Sequence, residues 1–488
     1  MPSQAPVDDP FFRTLKHYII RTTGLSYYRE RDEDLAAAIV RALKGKPFES
    51  AKAYIARLSV PNSPHLDDLV EELTIGETFF FRHVEMFNAL RDHVFPELAR
   101  LKGNQRQLRI WSAGCSIGAE PYSLSILLKG ELAHRFHGWE IEIIGTDINR
   151  RFLRMAREAV YERWALRGMS EEMRLRYFQP QERKWALKRR FVAGVTFQHH
   201  NLVRDRFPSM GNNLFAIDLV ICRNVMIYFD RKTAGELAEQ FHQSLVPGGW
   251  LALGHAEPHP ETFRAFRPVH ASGVTLYQRK TAGGPTRSRE EVVDLLAPRR
   301  LPPLLPPPGA PPSWISIPEA LARIAPPPSP APAPLVTKAK TPPSLKEGAV
   351  TLESVRQMAD QGDLAPALMS CQHLLREDQL NAAVHFFHGL ILEQAGLSRV
   401  ARNAFRRAIY LDRRLALAHY HLGSVHQRLR QPGRALRSFR NARAIVEAEQ
   451  EEIPLPFGDG LTAGDLRNLI DLHLRHLTAR PVPRPART

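Results

Sequence analysis

A proline-rich stretch between about residues 281 and 345 is the feature that most constrains how this chain can fold. Runs such as PPLLPPPGAPP and IAPPPSPAPAP lie within it, in a chain of 488 residues that holds 39 prolines. Such runs cannot build a packed core, and they favour an extended, semi-rigid polyproline-like chain. We therefore predict a linker over residues 281–350, with separately folded parts on either side.

The residues before the linker divide into a helical part and an α/β part. Over residues 8–75 apolar side chains recur at helical spacing, so we predict an N-terminal helical domain. From residue 108 onward the short apolar runs LRIWSAGC, IEIIGTD, FAIDLVICRN and GGWLALGH alternate with helical stretches. This order predicts a doubly wound α/β domain over residues 76–280. The last run, GVTLYQRK, is expected to form an antiparallel edge pair with the strand before it.

A repeat of 34 residues follows the linker. Ala367, Ala401 and Ala435 are spaced by this interval. Small residues at this period are typical of tetratricopeptide repeats, in which antiparallel helix pairs stack and leave a concave face for a partner. We predict an all-α tetratricopeptide-repeat domain over residues 351–480. Its many arginines favour an acidic protein partner in the repeat groove, and docking of this domain onto the α/β domain is the open alternative.

Composition narrows the classes of function. The three cysteines lack the spacing of metal ligands, which argues against a disulfide framework and a zinc site, so we predict no metal. The sequence shows no signal segment and no apolar run of roughly 18 residues, so we expect a cytoplasmic protein without membrane insertion. The formal net charge of +16 fits either solvated arginine-rich faces or a surface for nucleic acid or an acidic protein.

The turn after the first strand of the α/β part predicts a ligand site. Gly114 and Gly118 let the backbone approach a ligand there, and the helix that follows directs its N–H groups at the site. The spacing is not GxGxxG, which disfavours a nicotinamide or flavin dinucleotide. Asp147 ends the second strand, where a carboxylate accepts the hydroxyl pair of a ribose. The alternative role for Asp147 is an N-cap of the next helix.

Two further strings, TIGETFFFR at residues 74–82 and CRNVMIYFD at residues 222–230, complete a pattern with AGCSIGAEPYS, GTDIN, FQHHNL and LVPGGW. In this order and spacing, residues 10–280 resemble the CheR family of chemotaxis receptor glutamate methyltransferases. The resemblance implies a small N-terminal helical domain and a Rossmann-like methyltransferase domain with a small inserted β-subdomain. It also implies S-adenosyl-L-methionine as the cofactor, and glutamate methyl esters formed on the cytoplasmic helices of methyl-accepting chemoreceptors.

The resemblance also implies roles for individual residues. Arg82 and Tyr228 resemble the family residues nearest the transferred methyl group, and we expect them to be catalytic. The residues expected to hold the cofactor are Thr78, Arg82, Glu120, Asp147, Asn201, Leu202, Arg223 and Asn224. Within this set, Glu120 corresponds to the contact with the amino-acid part of the cofactor, Asp147 to the contact with its ribose, and residues 201–202 to the frame around the adenine.

Three features depart from the family pattern. Gly76 stands where the family typically has an asparagine that helps hold the cofactor, and one such polar contact is worth about 1 kcal/mol. Ala36, Ala37 and Ala38 lie on a helix that is strongly basic in the enteric enzymes, where it meets the receptor. Residues 177–197, expected to hold the β-subdomain, lack the glycine-containing loop of enzymes that tether to a receptor's C-terminal peptide. We therefore expect the repeat domain to take over targeting.

Other functions remain as alternatives. Nucleic-acid amino-methyltransferases usually carry Asp/Asn-Pro-Pro-Tyr after the fourth strand, where this chain has RNVMIY, so we expect no nucleic-acid partner. A small-molecule carboxyl methyltransferase is compatible with the cofactor motifs, but it has no need of a basic N-terminal cap or a repeat domain. The third alternative is a non-catalytic scaffold that senses the cofactor, and Gly76 is the feature in its favour.

Overall fold

The computed structural model describes residues 5–257, 261–280 and 350–478. The linker predicted over 281–350 therefore lies, except for its last residue, outside the described residues. The parts before and after the linker belong to one compact unit. The two parts are thus packed against each other, whereas the linker alone predicts only that they fold separately.

The N-terminal part is helical, as its apolar spacing predicts. Its helices are α1 Phe12–Thr23, α2 Asp32–Ala42, α3 Ala51–Leu58 and α4 Pro64–Leu73. Gly24 ends α1 in the left-handed region, with φ 78°, and a Cβ at this position would overlap the side chain of Val203. Glycine is therefore required where the N-terminal helices meet the α/β part.

The alanine run of α2 is a packing feature. Ala36 and Ala38 are buried in the core of the N-terminal helices, and Ala37 is the exposed member of the three. Long basic side chains at the two buried positions would disrupt that core. The packing of this helical part therefore accounts for two of the three alanines.

Ten strands lie within the described residues. In chain order they are β1 Gln107–Ala113, β2 Glu140–Asp147, β3 Val160–Tyr161, β4 Phe178–Gln181, β5 Lys184–Leu187, β6 Val195–His199, β7 Ile217–Cys222, β8 Leu245–Leu253, β9 Phe266–Ala271 and β10 Val274–Arg279. Seven of them form one sheet in the order β6-β2-β1-β7-β8-β10-β9. The strands from β6 to β8 run parallel, and β10 is antiparallel to both its neighbours. The strand order reverses between β1 and β7, which is where doubly wound sheets bind ligands.

The two edges of this sheet differ from the prediction. The run GVTLYQRK forms β10, which pairs antiparallel with β8 as expected, but it is not an edge strand. Instead β9 pairs outside β10, and β6 forms the opposite edge. The sequence predicts neither β9 nor β6 as a strand, because polar residues interrupt their apolar ones and they lack the continuous apolar run of a buried parallel strand.

The helices of the α/β part are α5 Val84–Ala89, α6 Phe95–Leu101, α7 Ala119–Ile126, α8 Arg150–Glu158, α9 Glu171–Tyr177, α10 Arg189–Val192 and α11 Arg231–Ser244. Between α8 and β6 the chain forms a second, three-stranded antiparallel sheet in the order β3-β5-β4. β4 and β5 fall within residues 177–197, where the sequence predicts the inserted subdomain, whereas β3 lies outside that range. A two-residue turn, Glu182–Arg183, joins β4 to β5 and contains no glycine.

The part after the linker is all-helical. Its helices are α12 Leu352–Asp360, α13 Leu364–Glu377, α14 Ala382–Gln394, α15 Ser398–Leu411, α16 Ala416–Arg428, α17 Pro432–Glu447 and α18 Ala463–Thr478. We call residues 352–478 the repeat module. A Cβ at Gly389 would lie 2.6 Å from the ring of Phe405, and a Cβ at Gly423 would lie 2.7 Å from the ring of Phe439. The same close helix crossing thus recurs after 34 residues.

Two further observations concern the described residues only. Cys115, Cys222 and Cys371 are all buried and unpaired. None of the helices in the described ranges has the length and apolar character needed to cross a bilayer.

Candidate functional site

A cleft lies at the carboxyl ends of the central parallel strands, and Thr23 and Leu25 of the N-terminal part contribute to its wall. It encloses ≈ 1070 Å³ of empty space, part of which is open to solvent. The residues that the sequence predicts for the cofactor and for methyl transfer all line this cleft. They are Thr78, Arg82, Glu120, Asp147, Asn201, Leu202, Arg223, Asn224 and Tyr228. Stretches that are far apart in the sequence thus meet at the point where the strand order reverses.

The turn after β1 brings the backbone against the cleft. Gly114 and Gly118 both adopt left-handed conformations, with φ 75° and 84°. The N–H groups of Gly114 and Cys115 both donate to the carbonyl of Thr146 at 2.8 Å. A Cβ at Gly114 would overlap the side chain of Val225. Glycine is therefore needed at this close approach, and α7 starts directly after the turn.

Glu120, in the first turn of α7, is held by two partners. Its carboxylate accepts hydrogen bonds from the hydroxyl of Ser112 at 2.8 Å and from the guanidinium of Arg223 at 3.0 Å. Arg223 also donates to the backbone carbonyl of Arg82 at 2.9 Å. The side chains of Arg223 and Glu120 are 4% and 13% exposed, so water screens this ion pair little. The pair therefore fixes α7, the end of β7 and the segment before α5 relative to one another.

Asp147 faces the cleft from the end of β2 and is not the N-cap of α8. The N-cap is Asn149, whose side chain accepts from the N–H of Phe152. The Asp147 carboxylate instead accepts from the N–H groups of Ser116 and Asn149, both at 2.8 Å. Burial raises the pKa of Asp147 to about 6, although these backbone hydrogen bonds oppose the shift. The alternative role as an N-cap is therefore wrong.

Asn201 lines the cleft and also connects two parts of the chain. Its side-chain amide donates to the carbonyl of Thr22 at 2.8 Å and accepts from the N–H of Val203 at 3.0 Å. Its backbone N–H donates to the carboxylate of Asp205 at 2.7 Å. Leu202, which is 8% exposed, adds an apolar wall beside it. Asn201 therefore holds the N-terminal helices to the segment that follows β6.

Arg82 and Tyr228 reach the cleft from different elements. Arg82 follows the N-terminal helices, and its guanidinium donates to the carbonyl of Glu77 at 2.6 Å. Tyr228 follows β7, and its backbone carbonyl accepts from the hydroxyl of Ser26 at 3.0 Å. The ring of Tyr27 lies edge-on to the Tyr228 ring, with 6.1 Å between the ring centres. Burial raises the pKa of Tyr228, an effect that Tyr27 reinforces and the charge of Arg82 opposes.

Glu257 supports the cleft and was not identified from the sequence. Its carboxylate accepts from the N–H groups of Val225 at 2.7 Å, Met226 at 2.8 Å and Gly254 at 2.6 Å. These bonds fix the turn after β7, in which Asn224 adopts a left-handed conformation with φ 58°. Burial raises the pKa of Glu257 against these bonds. The available signal was an acidic residue just beyond β8, the neighbour of β7 in the sheet.

Phe152 gives a physical reason for Gly76. A Cβ at Gly76 would lie 2.5 Å from the ring of Phe152, and this ring lines the cleft. The carbonyl of Gly76 accepts from the hydroxyl of Ser116 at 3.1 Å. The space that a side chain at position 76 would need is thus filled by an aromatic ring from α8. An apolar wall replaces the polar contact that an asparagine would make.

The cleft fits S-adenosyl-L-methionine. The carboxylates of Glu120 and Asp147 are among the groups that line it, and Leu202 and Phe152 add apolar walls. The glycine turn at Gly114 leaves a cradle that a side chain would fill. A ligand that carries an ammonium group on its amino-acid part, a ribose diol and an aromatic base matches this arrangement of charge and apolar surface.

Comparisons with known proteins agree with this geometry. Residues 76–274 match the family model described as the SAM-binding domain of the CheR methyltransferases, and S-adenosyl-L-methionine is the cofactor. The chain is 31% identical over 253 residues to a chemotaxis protein methyltransferase of Borreliella burgdorferi, a match that covers 51% of this chain and 88% of the relative. It is 31% identical over 284 residues to chemotaxis protein methyltransferase 1 of Pseudomonas aeruginosa, covering 57% of this chain and 100% of the relative.

A third similarity extends beyond the linker. The chain is 28% identical over 425 residues to the probable biofilm formation methyltransferase WspC of Pseudomonas aeruginosa. That match covers 86% of this chain and 94% of the relative. These similarities agree with the cleft and the strand order, and they show that this chain belongs to the CheR family of methyltransferases.

Proposed function

We propose that this chain methylates glutamate side chains on the cytoplasmic helices of methyl-accepting chemoreceptors, as the adaptation step of a chemosensory pathway. The observation that carries the proposal is that Arg82 and Tyr228 line the same cleft as Glu120 and Asp147. An arginine orients a carboxylate, and a tyrosine hydroxyl holds one of its oxygens. The names of the relatives, chemotaxis protein methyltransferases, support the same class of substrate.

The proposed reaction needs no general base. A glutamate side chain has a pKa of about 4.3, so it is already an anion at pH 7. When bound, S-adenosyl-L-methionine supplies a methyl group attached to a positively charged sulfonium. Held by residues such as Glu120 and Asp147, it would donate this methyl group to a glutamate oxygen as its carbon–sulfur bond broke, and the products would be a methyl ester and S-adenosylhomocysteine. The residues of the chain must therefore align the carboxylate and exclude water from it.

Arg82 and Tyr228 suit this task. One guanidinium nitrogen of Arg82 is bound to the carbonyl of Glu77, and the other N–H groups remain for a substrate carboxylate. The raised pKa of Tyr228 keeps its hydroxyl protonated as a donor at pH 7. The proposed cofactor contacts are those of Thr78, Arg82, Glu120, Asp147, Asn201, Leu202, Arg223 and Asn224.

The test is transfer of labelled methyl from S-adenosyl-L-methionine to receptor-containing membranes, followed by release of labelled methanol in base. We expect Tyr228→Phe to lower the rate at saturating cofactor about 10-fold or more, because a hydrogen bond to a charged group is lost. Its cofactor Kd should stay unchanged. The matched control is Tyr27→Phe on the neighbouring ring, which should keep the rate of the unaltered chain.

The same assay distinguishes the alternatives. Label in nucleic acid, or label that is stable to base, would contradict the proposal. Label confined to small molecules would favour a small-molecule carboxyl methyltransferase. Cofactor binding by calorimetry without transfer to any of these acceptors would favour a cofactor-sensing scaffold.

An acidic protein partner is the second part of the proposal, and we place it on the outer face of the repeat module. We define the outer face by exposed arginines on α15 and α17: Arg399, Arg406, Arg407, Arg434, Arg437 and Arg440. None of these six is ion-paired within the described residues. By contrast, Arg41 at the end of α2 pairs with Glu72 at 2.7 Å, and Lys44 in the turn that follows pairs with Asp68 at 2.6 Å. The arginines of the outer face are therefore free to bind an acidic partner, whereas Arg41 and Lys44 are already paired with carboxylates.

Charge reversal tests this placement. We expect Arg406→Glu combined with Arg440→Glu to slow methylation of receptor membranes at low salt, with a smaller effect at high salt. The cofactor Kd should not change. Lys232→Glu on α11, whose side chain is 87% exposed, is the matched control and should have no effect. Equal rates for the double variant and the control at low salt would contradict an acidic partner at this face.

A further inference from the structure

The repeat module contacts β6, which is the strand at one edge of the seven-stranded sheet. Asp465, near the start of α18, is 3% exposed. Its carboxylate accepts from the guanidinium of Arg157 at 2.9 Å and from the N–H of His199 in β6 at 3.4 Å. Arg157 also donates to the carbonyl of Phe197 in β6 at 3.0 Å. One ion pair thus satisfies two backbone groups at the edge of β6, where an unpaired strand otherwise exposes them.

A second set of contacts holds the segment after β6. Asp360, at the end of α12, accepts from the N–H of Met210 at 2.8 Å and pairs with Arg206 at 3.1 Å. Asp459, in the loop before α18, accepts from the hydroxyl of Ser209 at 2.5 Å. These partners lie far apart in the sequence, on either side of the linker. The contacts therefore join the repeat module to the α/β part.

We call the side of the module that carries Phe386 and Phe387 its inner face. The chain itself covers these two residues, where the sequence predicts a groove for a partner and leaves docking onto the α/β part as the alternative. The ring of Phe457 lies 6.0 Å from the ring of Phe386 and 5.8 Å from that of Phe387, both on α14. A Cβ at Gly211 of the α/β part would overlap the carbonyl of Phe457. The loop before α18 therefore lies on this inner face and also contacts the segment around Gly211.

The segment held in this way forms one wall of the cleft. His199 lies opposite Asp147 in the register of β6 and β2, and residues 200–202 line the cleft directly after it. Asp205, whose carboxylate accepts the N–H of residue 201, contacts the loop before α18. A Cβ at Gly460 would lie 3.3 Å from its carboxyl carbon. The module thus contacts this wall of the cleft both at His199 and at Asp205.

We propose that the repeat module is a brace for the cofactor site, and that its docking on β6 and on residues 199–212 sets the affinity for S-adenosyl-L-methionine. Residues 200–216 contain no helix or strand beyond one isolated bridge, Ser209–Leu214, so their conformation depends on their neighbours. When only a fraction of molecules has the wall in place, the apparent Kd rises by the inverse of that fraction. The proposal rests on cofactor binding and does not depend on the identity of the protein substrate.

The first test disturbs the docking with the smallest possible side chain. In the full-length chain, Gly211→Ala places a methyl group against the carbonyl of Phe457, and the matched control is Gly235→Ala on α11, where an added Cβ meets nothing within 4 Å. We expect Gly211→Ala to raise the Kd for S-adenosyl-L-methionine about 3- to 10-fold by calorimetry. Gly235→Ala should bind as the unaltered chain does.

The second test removes the contact with the sheet edge. Asp465 also takes part in capping α18, because the Thr462 hydroxyl accepts the N–H of Asp465 at 3.2 Å and donates to its carboxylate at 2.9 Å. Asp465→Ala removes the carboxylate half of this cap together with the contacts to Arg157 and His199, whereas Thr462→Ala removes the hydroxyl and leaves those contacts in place. We expect Asp465→Ala to raise the cofactor Kd about 3- to 10-fold and Thr462→Ala to leave it within about twofold.

Thermodynamic linkage between docking and cofactor binding gives a third test, because it predicts a change that would not occur if the contact were only structural. If docking strengthens cofactor binding, S-adenosylhomocysteine must strengthen docking, so it should slow amide exchange in the loop before α18. Unchanged exchange there on addition of S-adenosylhomocysteine, or unchanged Kd values in both Gly211→Ala and Asp465→Ala, would overturn the proposal. If Gly211→Ala fails to fold, the comparison of Asp465→Ala with Thr462→Ala decides the question alone.

Discussion

The cleft and the inner face of the repeat module are both concave surfaces that the sequence predicts, but they are used differently. In the cleft, Glu120 and Asp147 are held by nearby groups and still line open space. On the inner face, Phe457 packs against α14, and elsewhere in the module Asp360 binds the segment after β6. A repeat pattern therefore predicts a concave shape, whereas contacts between distant segments decide whether that shape is free.

The difference also changes what a deletion of the repeat module would mean. If the module only targeted the enzyme, its removal would change methylation of receptors and leave cofactor binding alone. Because it contacts β6 and residues 199–212, its removal should also alter the cofactor site. Point variants in the full-length chain separate these two effects, since each leaves the remainder of the module in place.

The largest expected effect compares two glutamates that are each paired with an arginine, one in each region. Glu120 pairs with Arg223 at 3.0 Å in the cleft, and Glu393 pairs with Arg428 at 3.3 Å in the module. We expect Glu120→Gln to weaken cofactor binding about 100-fold, because charge-assisted contacts are lost at the ligand. Glu393→Gln should instead lower the free energy of unfolding by about 3 kcal/mol, measured in urea. A loss of cofactor affinity in Glu393→Gln as large as that in Glu120→Gln would break the comparison.

The second prediction concerns pH and the cleft alone. Burial raises the pKa of Asp147 from 3.8 to about 6, so the folded chain holds this proton more tightly than the unfolded chain does. The contribution of this group to the free energy of unfolding therefore falls as pH rises through the window from 3.8 to 6. Binding of a ribose needs the ionised form, so the cofactor Kd should rise by roughly tenfold per pH unit below 6.

Calorimetric titrations between pH 5 and pH 8 measure this dependence. The control is Asp147→Asn, which should bind weakly at every pH and lose the dependence on pH below 6. A cofactor Kd that stays constant from pH 8 to pH 5 in the unaltered chain would show that Asp147 keeps its ordinary pKa.

The sequence predicts the cleft better than the edges and the docking. The strands that end at the cleft are continuous apolar runs, and residues such as Glu120 and Tyr228 follow them in recognisable strings. The edge strands β6 and β9 lack such runs, so periodicity does not reveal them. The contact of Asp465 with His199 joins residues that are 266 apart, and no local pattern encodes it. Ala36 and Ala38 likewise become understandable only when the core around them is known.

The third prediction concerns Gly76 in the cleft, where the ring of Phe152 takes the space that an asparagine side chain would need. Gly76→Asn restores the residue typical of the family, but its Cβ would lie 2.5 Å from the ring of Phe152. We expect the single variant to weaken cofactor binding about fivefold, because overpacking costs about 1 kcal/mol or more. Gly76→Asn combined with Phe152→Ala should recover most of the affinity in calorimetry. Tighter binding by Gly76→Asn alone would contradict this explanation.

The smallest expected effect lies in the module and concerns the repeat itself. Gly362 and Gly396 end the first helix of successive pairs in left-handed conformations, with φ 88° and 74°, and Arg430 holds the corresponding place in the third pair with φ 56°. A side chain in this region costs about 1 kcal/mol, which glycine avoids. Because glycine also makes the unfolded chain more flexible, Arg430→Gly should raise the free energy of unfolding by about 0.5 kcal/mol. Gly396→Ala should lower the free energy of unfolding by about 1 kcal/mol. If Arg430→Gly also lowered the free energy of unfolding, the contacts of the Arg430 side chain would outweigh its backbone strain.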